Sequence, residues 1–115
     1  MGKRANWEII FYTDARGISP VNEFIAKLSK TEKVKVIWVI DMLAEYGIHL
    51  SMPHARSIDH DLWELRADAG RIFYYSTAGR QFILLHGYNK KSQRTPAREI
   101  DTARRRMHDF KERIS

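Results

Sequence analysis

Runs of β-branched and aromatic residues predict the strands of this chain. The first run, Trp7 to Thr13, is apolar on both faces, which is typical of a strand that is covered on both sides. Later in the chain, Leu62–Arg66 and Arg71–Tyr75 are separated by a short turn, and Gln81–His86 follows a second turn. Strands joined by such short turns favour an antiparallel three-strand meander.

Two helices are predicted between the first strand and the meander. Ser19 caps the first helix and Pro20 occupies its first position, where a missing N–H costs nothing. Ser29 and Glu32 have the spacing of a capping box at the start of the second helix, and Gly47 is expected to end it. The pair forms a helical hairpin.

The second predicted helix is apolar around more of its circumference than one contact surface needs. Its predicted core face comprises Val36, Ile37, Ile40, Leu43 and Ala44, and a further stripe comprises Val34, Trp38 and Met42. We favour packing of this stripe between the first helix and the sheet over an exposed patch that receives a helix of a partner protein.

The remaining segments are a predicted loop and a last helix. Residues 48–61 lack sustained periodicity and are predicted to be a loop. Thr95 and Pro96 repeat the cap-plus-proline start. The apolar face of the helix that follows comprises Ile100, Ala103, Met107, Phe110 and Ile114, and its other faces carry Arg98, Arg104, Arg105, Arg106, Lys111 and Arg113. The pattern predicts one α+β domain over residues 1–115.

Composition narrows the class of protein. The chain has no cysteine, which excludes thiol catalysis, Cys-based zinc sites and disulfide frameworks. The N-terminus lacks the apolar run of a signal peptide, and no apolar run approaches the roughly 20 residues of a membrane span. The five histidines have no ligand spacing, so no metal site and no cofactor are predicted. We expect a cytoplasmic protein without a membrane partner.

The charge is distributed unevenly. Residues 1–61 are balanced, with eight basic and eight acidic residues, whereas residues 62–115 contain twelve basic and six acidic residues and carry the whole net charge of +6. A one-sided basic surface attracts phosphate backbones, so nucleic acid is the leading partner class. A basic surface without a function and an acidic protein partner are the alternatives.

Candidate chemistry is concentrated near the end of the third meander strand. Period-two alternation sends His86, Tyr88 and Lys90 to one face. Neighbouring strands can add Glu64, Arg66 and Arg71, the following segment adds Lys91 and Arg94, and Trp63 or Tyr88 can stack on a base.

Metal-free RNA cleavage needs a base, an acid and fixed positive charge, which this set supplies. In isolation, His86 is more often a hydrogen-bonded boundary residue, and lysine pairs or arginine-rich helix faces are more often simply solvated.

Three segments carry a resemblance to a known family. Leu62–Arg66, Arg71–Tyr75 and Leu84–Pro96, in this order, resemble the phage-derived, HigB-like branch of the RelE/ParE toxin superfamily. The aliphatic-His-Gly-aromatic-x-Lys-Lys run that ends in Thr-Pro is its most specific part. The resemblance implies a RelE-like fold with an N-terminal strand, a helical hairpin, a meander and a C-terminal helix.

The resemblance also implies a function. It implies the toxin of a type II toxin-antitoxin system, an mRNA interferase that cleaves mRNA on the ribosome and is silenced by a cognate helix-turn-helix antitoxin. By position, Arg71 matches a phosphate-stabilising arginine and Lys90 or Lys91 a strand-end cation, while His86 is the branch's own motif residue.

The assignment of roles within this set stays open in part. Glu64, Tyr88 or His86 is expected to manage protons, and Arg66, Arg94, Trp63 and Arg98 are expected to bind RNA. This chain has Leu62 and Glu64 where RelE proper has lysines, and no tyrosine follows Lys91. A ParE-like gyrase inhibitor without nuclease activity and an inactive phage-derived nucleic-acid-binding protein remain the alternatives.

Overall fold

The computed structural model describes residues 7–78 and 80–114, and within these residues three helices pack on a five-stranded mixed sheet. In chain order the elements are β1 (Glu8–Phe11), α1 (Pro20–Ala26), α2 (Lys30–Tyr46), a 3-10 turn (Gly47–His49), β2 (Ala55–Asp59), β3 (Leu62–Ala67), β4 (Gly70–Thr77), β5 (Gln81–Asn89) and α3 (Ala97–Ile114). The predicted α+β class is confirmed.

The sheet has the strand order β1-β5-β4-β3-β2. β1 pairs with β5 in parallel, and the other neighbours are antiparallel. The prediction of a loop over residues 48–61 was wrong, because Gly47–His49 forms the 3-10 turn and Ala55–Asp59 forms β2. The consecutive antiparallel strands therefore number four instead of the predicted three.

The predicted helix boundaries rest on local hydrogen bonds. The Ser19 hydroxyl accepts from the Asn22 N–H, and the Ser29 hydroxyl accepts from the Glu32 N–H while the Glu32 carboxylate accepts from the Ser29 N–H at 2.9 Å. Gly47 ends α2 with a φ of 55°, and a Cβ there would lie 2.3 Å from the Trp7 ring. These three signals are confirmed, since each depends on residues a few positions apart.

The sheet separates two hydrophobic clusters. On one face, Val36 and Leu43 of α2 pack in a cluster with Leu65, Ile72 and Leu84 of the sheet. On the other face, Met107 of α3 packs in a cluster with sheet residues that include Leu62, Phe73, Tyr75 and Leu85. Leu62, Leu65, Phe73 and Leu84 expose at most 1% of their surface, which is typical of a close-packed interior.

The apolar excess of α2 lies at the surface. Trp38 is 55% exposed and Val34 63% exposed, so the interpretation that this stripe is buried was wrong for these residues. Ile37, predicted to face the core, is also exposed, and Val39 is buried in its place. Ile114 on α3 is exposed too, because the helix extends past the sheet-side cluster that ends near Phe110.

A β-bulge in β5 sets the orientation of the side chains that follow it. Phe73 pairs with His86 whereas the next residue, Tyr74, pairs with Leu84, so Leu85 is an extra residue in β5. After the bulge, His86 and Tyr88 stay on the α3 face, together with Phe73 and Arg71 opposite them.

None of the helices in the described residues is long and apolar enough to cross a membrane.

Candidate nucleic-acid interface

Cationic side chains from three strand ends surround one open cleft, which we call the basic cleft. Arg66 is the next-to-last residue of β3, Arg71 is the second residue of β4 and the register partner of Arg66, and Lys90 and Lys91 follow β5. The Lys90 N–H donates to the carbonyl of Ala69 at 2.7 Å, which ties the end of β5 to the β3–β4 turn. The basic cleft has a volume of about 470 Å³ and is lined by Arg66, Arg71, Lys90, Lys91, Ser92 and Gln93.

A buried carboxylate lies beside these cations. Glu64 is fully buried, and its Oε1 is 3.4 Å from Nη2 of Arg56 and 3.8 Å from Nε of Arg71. Its Oε2 is also buried and has no hydrogen-bond partner in the described residues. A buried carboxylate is costly unless it is paired, so Glu64 and the two arginines stabilise one another as a unit.

Arg71 is held in place by the backbone of the turn. Its Nη1 donates to the carbonyl of Gly70 at 3.0 Å and to that of Asp68. Burial lowers the pKa of Arg71, and the carboxylate of Glu64 opposes this change. The guanidinium stays charged, because an arginine side chain is not deprotonated in proteins. Arg71 is therefore a preorganised positive charge that is only 7% exposed.

Lys90 has an altered acidity. Partial desolvation lowers the pKa of its ammonium, the charge of Glu64 opposes the change, and the nearby cations Arg71, Arg56 and Arg66 lower it further. A lysine among arginines releases its proton more readily than a free lysine does. Lys90 is thus better suited to proton transfer than an ordinary surface lysine.

His86 is fixed beneath α3. Its Nδ1 is 2.9 Å from Nη1 of Arg106, and its Nε2 is 2.5 Å from Oε1 of Glu99. A guanidinium can only donate, so Nδ1 accepts, and Nε2 carries the proton that is donated to Glu99. Burial lowers the pKa of His86, which favours this neutral form, although the hydrogen bond to Glu99 opposes the shift. Both ring nitrogens are occupied.

Tyr88 connects His86 to the basic cleft. Its ring stacks on that of His86 with centroids 6.0 Å apart, and Tyr88 is the register partner of Arg71. Burial raises the pKa of Tyr88. Tyr88 also borders a second cleft of about 490 Å³ that adjoins the basic cleft and is lined by Tyr88, Asn89, Lys91, Ser92, Pro96, Arg98 and Glu99.

The part of the chain that contains the basic cleft matches a known protein family. Residues 23–108 match the family described as Phage derived protein Gp49-like (DUF891). The chain belongs to this family. Gp49-like proteins are a RelE-like, toxin-type family. A search of curated proteins finds no match to the chain. The matched residues begin within α1, end within α3, and include every residue that lines the basic cleft.

Two predicted RNA-binding residues of this Gp49-like chain lie away from the basic cleft. Trp63 packs with the α1 and α2 side of the sheet and borders a small cavity beside Tyr74 and Phe82, on the opposite face from Tyr88. Arg94 is exposed between β5 and α3, and neither cleft is lined by it. By contrast, Arg66 lines the basic cleft and Arg98 the second cleft.

Sequence reasoning missed three residues that organise the site. Arg56 contacts Glu64 from β2, which was predicted to be a loop; the alternation of Ala55, Arg56, Ser57 and Ile58 was the available signal. Glu99 and Arg106 hold His86 from α3, and no local pattern reveals contacts across 13 and 20 positions.

Metal ligands are not grouped in the described residues of this Gp49-like protein. Between residues 7 and 114, Gly79 aside, no cluster of three or more His, Asp or Glu side chains is arranged to hold a metal ion.

Proposed function

We propose that this protein is the toxin of a type II toxin-antitoxin system, and that it acts as a metal-independent endoribonuclease of the HigB-like kind that cleaves mRNA on the ribosome. Membership in the Gp49-like family supports the toxin role. The observation that carries the nuclease role is the basic cleft, in which four cations surround one cavity beside a buried carboxylate. We treat residues 1–115 as one toxin domain.

The basic cleft suits a phosphodiester. In RNA cleavage the 2′-oxygen attacks phosphorus, the bond to the 5′-oxygen breaks, and negative charge accumulates on the phosphoryl oxygens. Arg71 and Arg66 offer planar donors to these oxygens, and Lys91 adds a point charge. Because Arg71 is already fixed by the turn carbonyls and Glu64, little reorganisation is needed as the charge develops.

Lys90 is our candidate for proton transfer to the leaving 5′-oxygen. It borders the basic cleft, and its lowered pKa makes the ammonium a stronger acid than that of a free lysine. The proton of the 2′-hydroxyl needs an acceptor, for which Tyr88 and Glu64 remain the candidates. Glu64 also has a positioning role, because its carboxylate contacts Arg71.

For His86 we propose a positioning role. Both of its ring nitrogens already have partners, and its ring stacks on Tyr88. Held in this way, His86 fixes the end of β5, from which Lys90 and Lys91 extend into the basic cleft.

The proposed partners are mRNA, the ribosome and a cognate antitoxin, which we expect to be a helix-turn-helix protein encoded by a neighbouring reading frame. The test is induction of the protein in growing bacterial cells, followed by mapping of mRNA 5′ ends and by cleavage of mRNA on purified translating ribosomes. We expect growth arrest, new mRNA ends at translated codons, and rescue by the neighbouring gene. Growth arrest with intact transcripts and broken DNA would instead indicate gyrase inhibition and contradict the nuclease role.

A further inference from the structure

A further cavity, distinct from the second cleft beside Tyr88, shares two lining residues with the basic cleft. It has a volume of about 450 Å³ and lies between α2, residues 53–54 and the β3–β4 turn. Arg66 and Arg71 line both cavities. We call it the aromatic cavity; its lining comprises Lys35, Trp38, Val39, Pro53, His54, Arg66, Ala67, Asp68 and Arg71.

The two aromatic rings of this cavity come from an exposed tryptophan and a half-buried histidine. Trp38 is 55% exposed on α2, and its ring meets that of His54 edge to face, with centroids 5.4 Å apart and an interplanar angle of 81°. The backbone of His54 is held on both sides, since its carbonyl accepts from the Arg66 N–H at 2.8 Å and its N–H donates to Ser51 at 3.0 Å. Trp38 is therefore carried by a helix, and the backbone of His54 is fixed by two hydrogen bonds.

We propose that the aromatic cavity is a subsite for one unpaired base of single-stranded RNA, whose adjoining phosphate lies at Arg66 and Arg71. This inference rests on the proposed function, because the phosphate is that of the strand in the basic cleft. The volume falls within the range of small-ligand sites, and a base beside a bound phosphate commonly stacks on an exposed aromatic ring. The base must be unpaired, since a duplex hides its base faces.

The charge of the cavity favours this occupant over an apolar protein segment. Arg66, Arg71 and Lys35 line it; Lys35 is paired with the Asp68 carboxylate that also lines it, whereas the carboxylate beside Arg71, that of Glu64, does not line the cavity. A phosphate-bearing ligand gains from the two arginines, whereas an apolar helix would have to desolvate them. Val34 and Ile37, two further exposed apolar residues of α2, do not line the cavity.

The experiment is a binding measurement that requires no cleavage. A short 2′-O-methyl RNA, which lacks the attacking hydroxyl, is titrated against the full chain by fluorescence anisotropy, and the strand is compared with versions that lack a single base at each position in turn. The variants are Trp38→Ala and Trp38→Phe, with Tyr46→Ala as the matched control, because Tyr46 is an exposed aromatic residue of the same helix outside the cavity.

We expect Trp38→Ala to weaken binding of the intact strand by about tenfold, the effect of losing one stacked base. Removal of the base that occupies the aromatic cavity should weaken RNA binding by the wild type by the same factor, and it should not change the RNA affinity of Trp38→Ala. Trp38→Phe should keep most of the affinity, and Tyr46→Ala all of it. Circular dichroism and thermal melting establish that each variant is folded.

The inference is overturned if Trp38→Ala binds the intact strand as tightly as the wild type, or if the wild type binds no RNA strand. It is also overturned if Trp38→Ala loses only the antitoxin, which would make this surface a protein-docking site. Failure of the proposed function is distinguishable: the induced wild type would then leave mRNA intact, whatever the affinity for the uncleavable strand.

Discussion

The cations of α3 and those of the basic cleft look alike in the sequence but differ in their surroundings. On α3, most basic side chains already have a partner: Arg104 with Asp59 at 2.5 Å, Lys111 with Asp61 at 3.1 Å, Arg113 with Asp109 at 2.9 Å, and Arg106 with His86 and the Leu85 carbonyl. In the basic cleft, Arg71 lies near the buried Glu64, and within the described residues neither Lys90 nor Lys91 forms an ion pair.

The difference shows that the number of cations is a poor guide to where a polyanion binds. Arg104 and Lys111 tie α3 to Asp59 and Asp61, and Arg113 pairs with Asp109 on the helix itself, so a phosphate would have to compete with an existing carboxylate at each of these cations. Lys90 and Lys91 in the basic cleft have no carboxylate partner in the described residues, so a phosphate could bind them without displacing one. Exposed ion pairs contribute little to stability, but the carboxylates that pair with the α3 cations reduce the positive electrostatic potential around them. The basic cleft is therefore the stronger candidate for binding a polyanion.

The largest effect is expected from Arg71→Ala. Loss of a preorganised donor to the developing charge typically lowers a rate by about 100-fold to 1000-fold. The measurement is the rate of mRNA cleavage on translating ribosomes. Arg105→Ala on α3, which removes an exposed arginine, is the control and should cleave normally. Equal rates for Arg71→Ala and the wild type would remove Arg71 from the site.

The next largest effect is on stability and contrasts a buried pair with an exposed one. Glu64→Gln removes the carboxylate charge that faces Arg56 and Arg71, and we expect a loss of about 3 kcal/mol in the free energy of unfolding. Asp61→Asn breaks the half-exposed pair with Lys111 and should cost less than about 1 kcal/mol. Urea unfolding of both variants checks this, and similar losses would contradict the contrast.

A smaller effect is expected in the salt dependence of RNA binding. Lys90→Ala with Lys91→Ala should reduce the slope of log affinity against log salt by about 1.4, because each phosphate contact to a single strand contributes about 0.7. Arg104→Ala with Lys111→Ala removes the same charge from α3 and should change the slope less. Anisotropy titrations between about 50 and 200 mM salt measure both slopes; identical changes would mean that the two surfaces are equivalent.

The smallest effect concerns the pH dependence of stability. Burial lowers the pKa of His86 in the folded state, so near and below the unfolded value of about 6.5 the unfolded chain binds more protons. The contribution of neutral His86 is therefore complete above that pH and is lost as the pH falls. His86→Gln should flatten the curve of the free energy of unfolding against pH between about pH 5 and 7.

Features that depend on neighbouring residues were predictable from the sequence. The caps at Ser19 and Ser29 and the end of α2 at Gly47 follow from short spacings, and the predictions hold. His86 and Tyr88 share a face as predicted, but the bulge that selects which face was not foreseen. β2 was missed because it is a short edge strand that pairs on one side only, and its polar side chains give a weak pattern.

The environment of the candidate site depends on contacts that are distant in sequence. Alternation brought out Arg71, Lys90 and Glu64, but not the burial of Glu64 or its contact with Arg56. The exposure of Trp38 was also mispredicted, because an apolar residue on a helix does not reveal whether the neighbouring element reaches it. The sequence indicates which side chains can act, and the tertiary packing decides which of them are free to do so.

The most direct test of the central claim is the mapping of mRNA 5′ ends after induction of three proteins: the wild type, Lys90→Ala with Lys91→Ala, and Arg104→Ala with Lys111→Ala. We predict new mRNA ends and growth arrest for the wild type and the α3 variant, and intact mRNA with normal growth for the cleft variant. Equal protein levels and thermal melting curves serve as the folding control. Cleavage that survives in the cleft variant but disappears in the α3 variant would contradict the assignment.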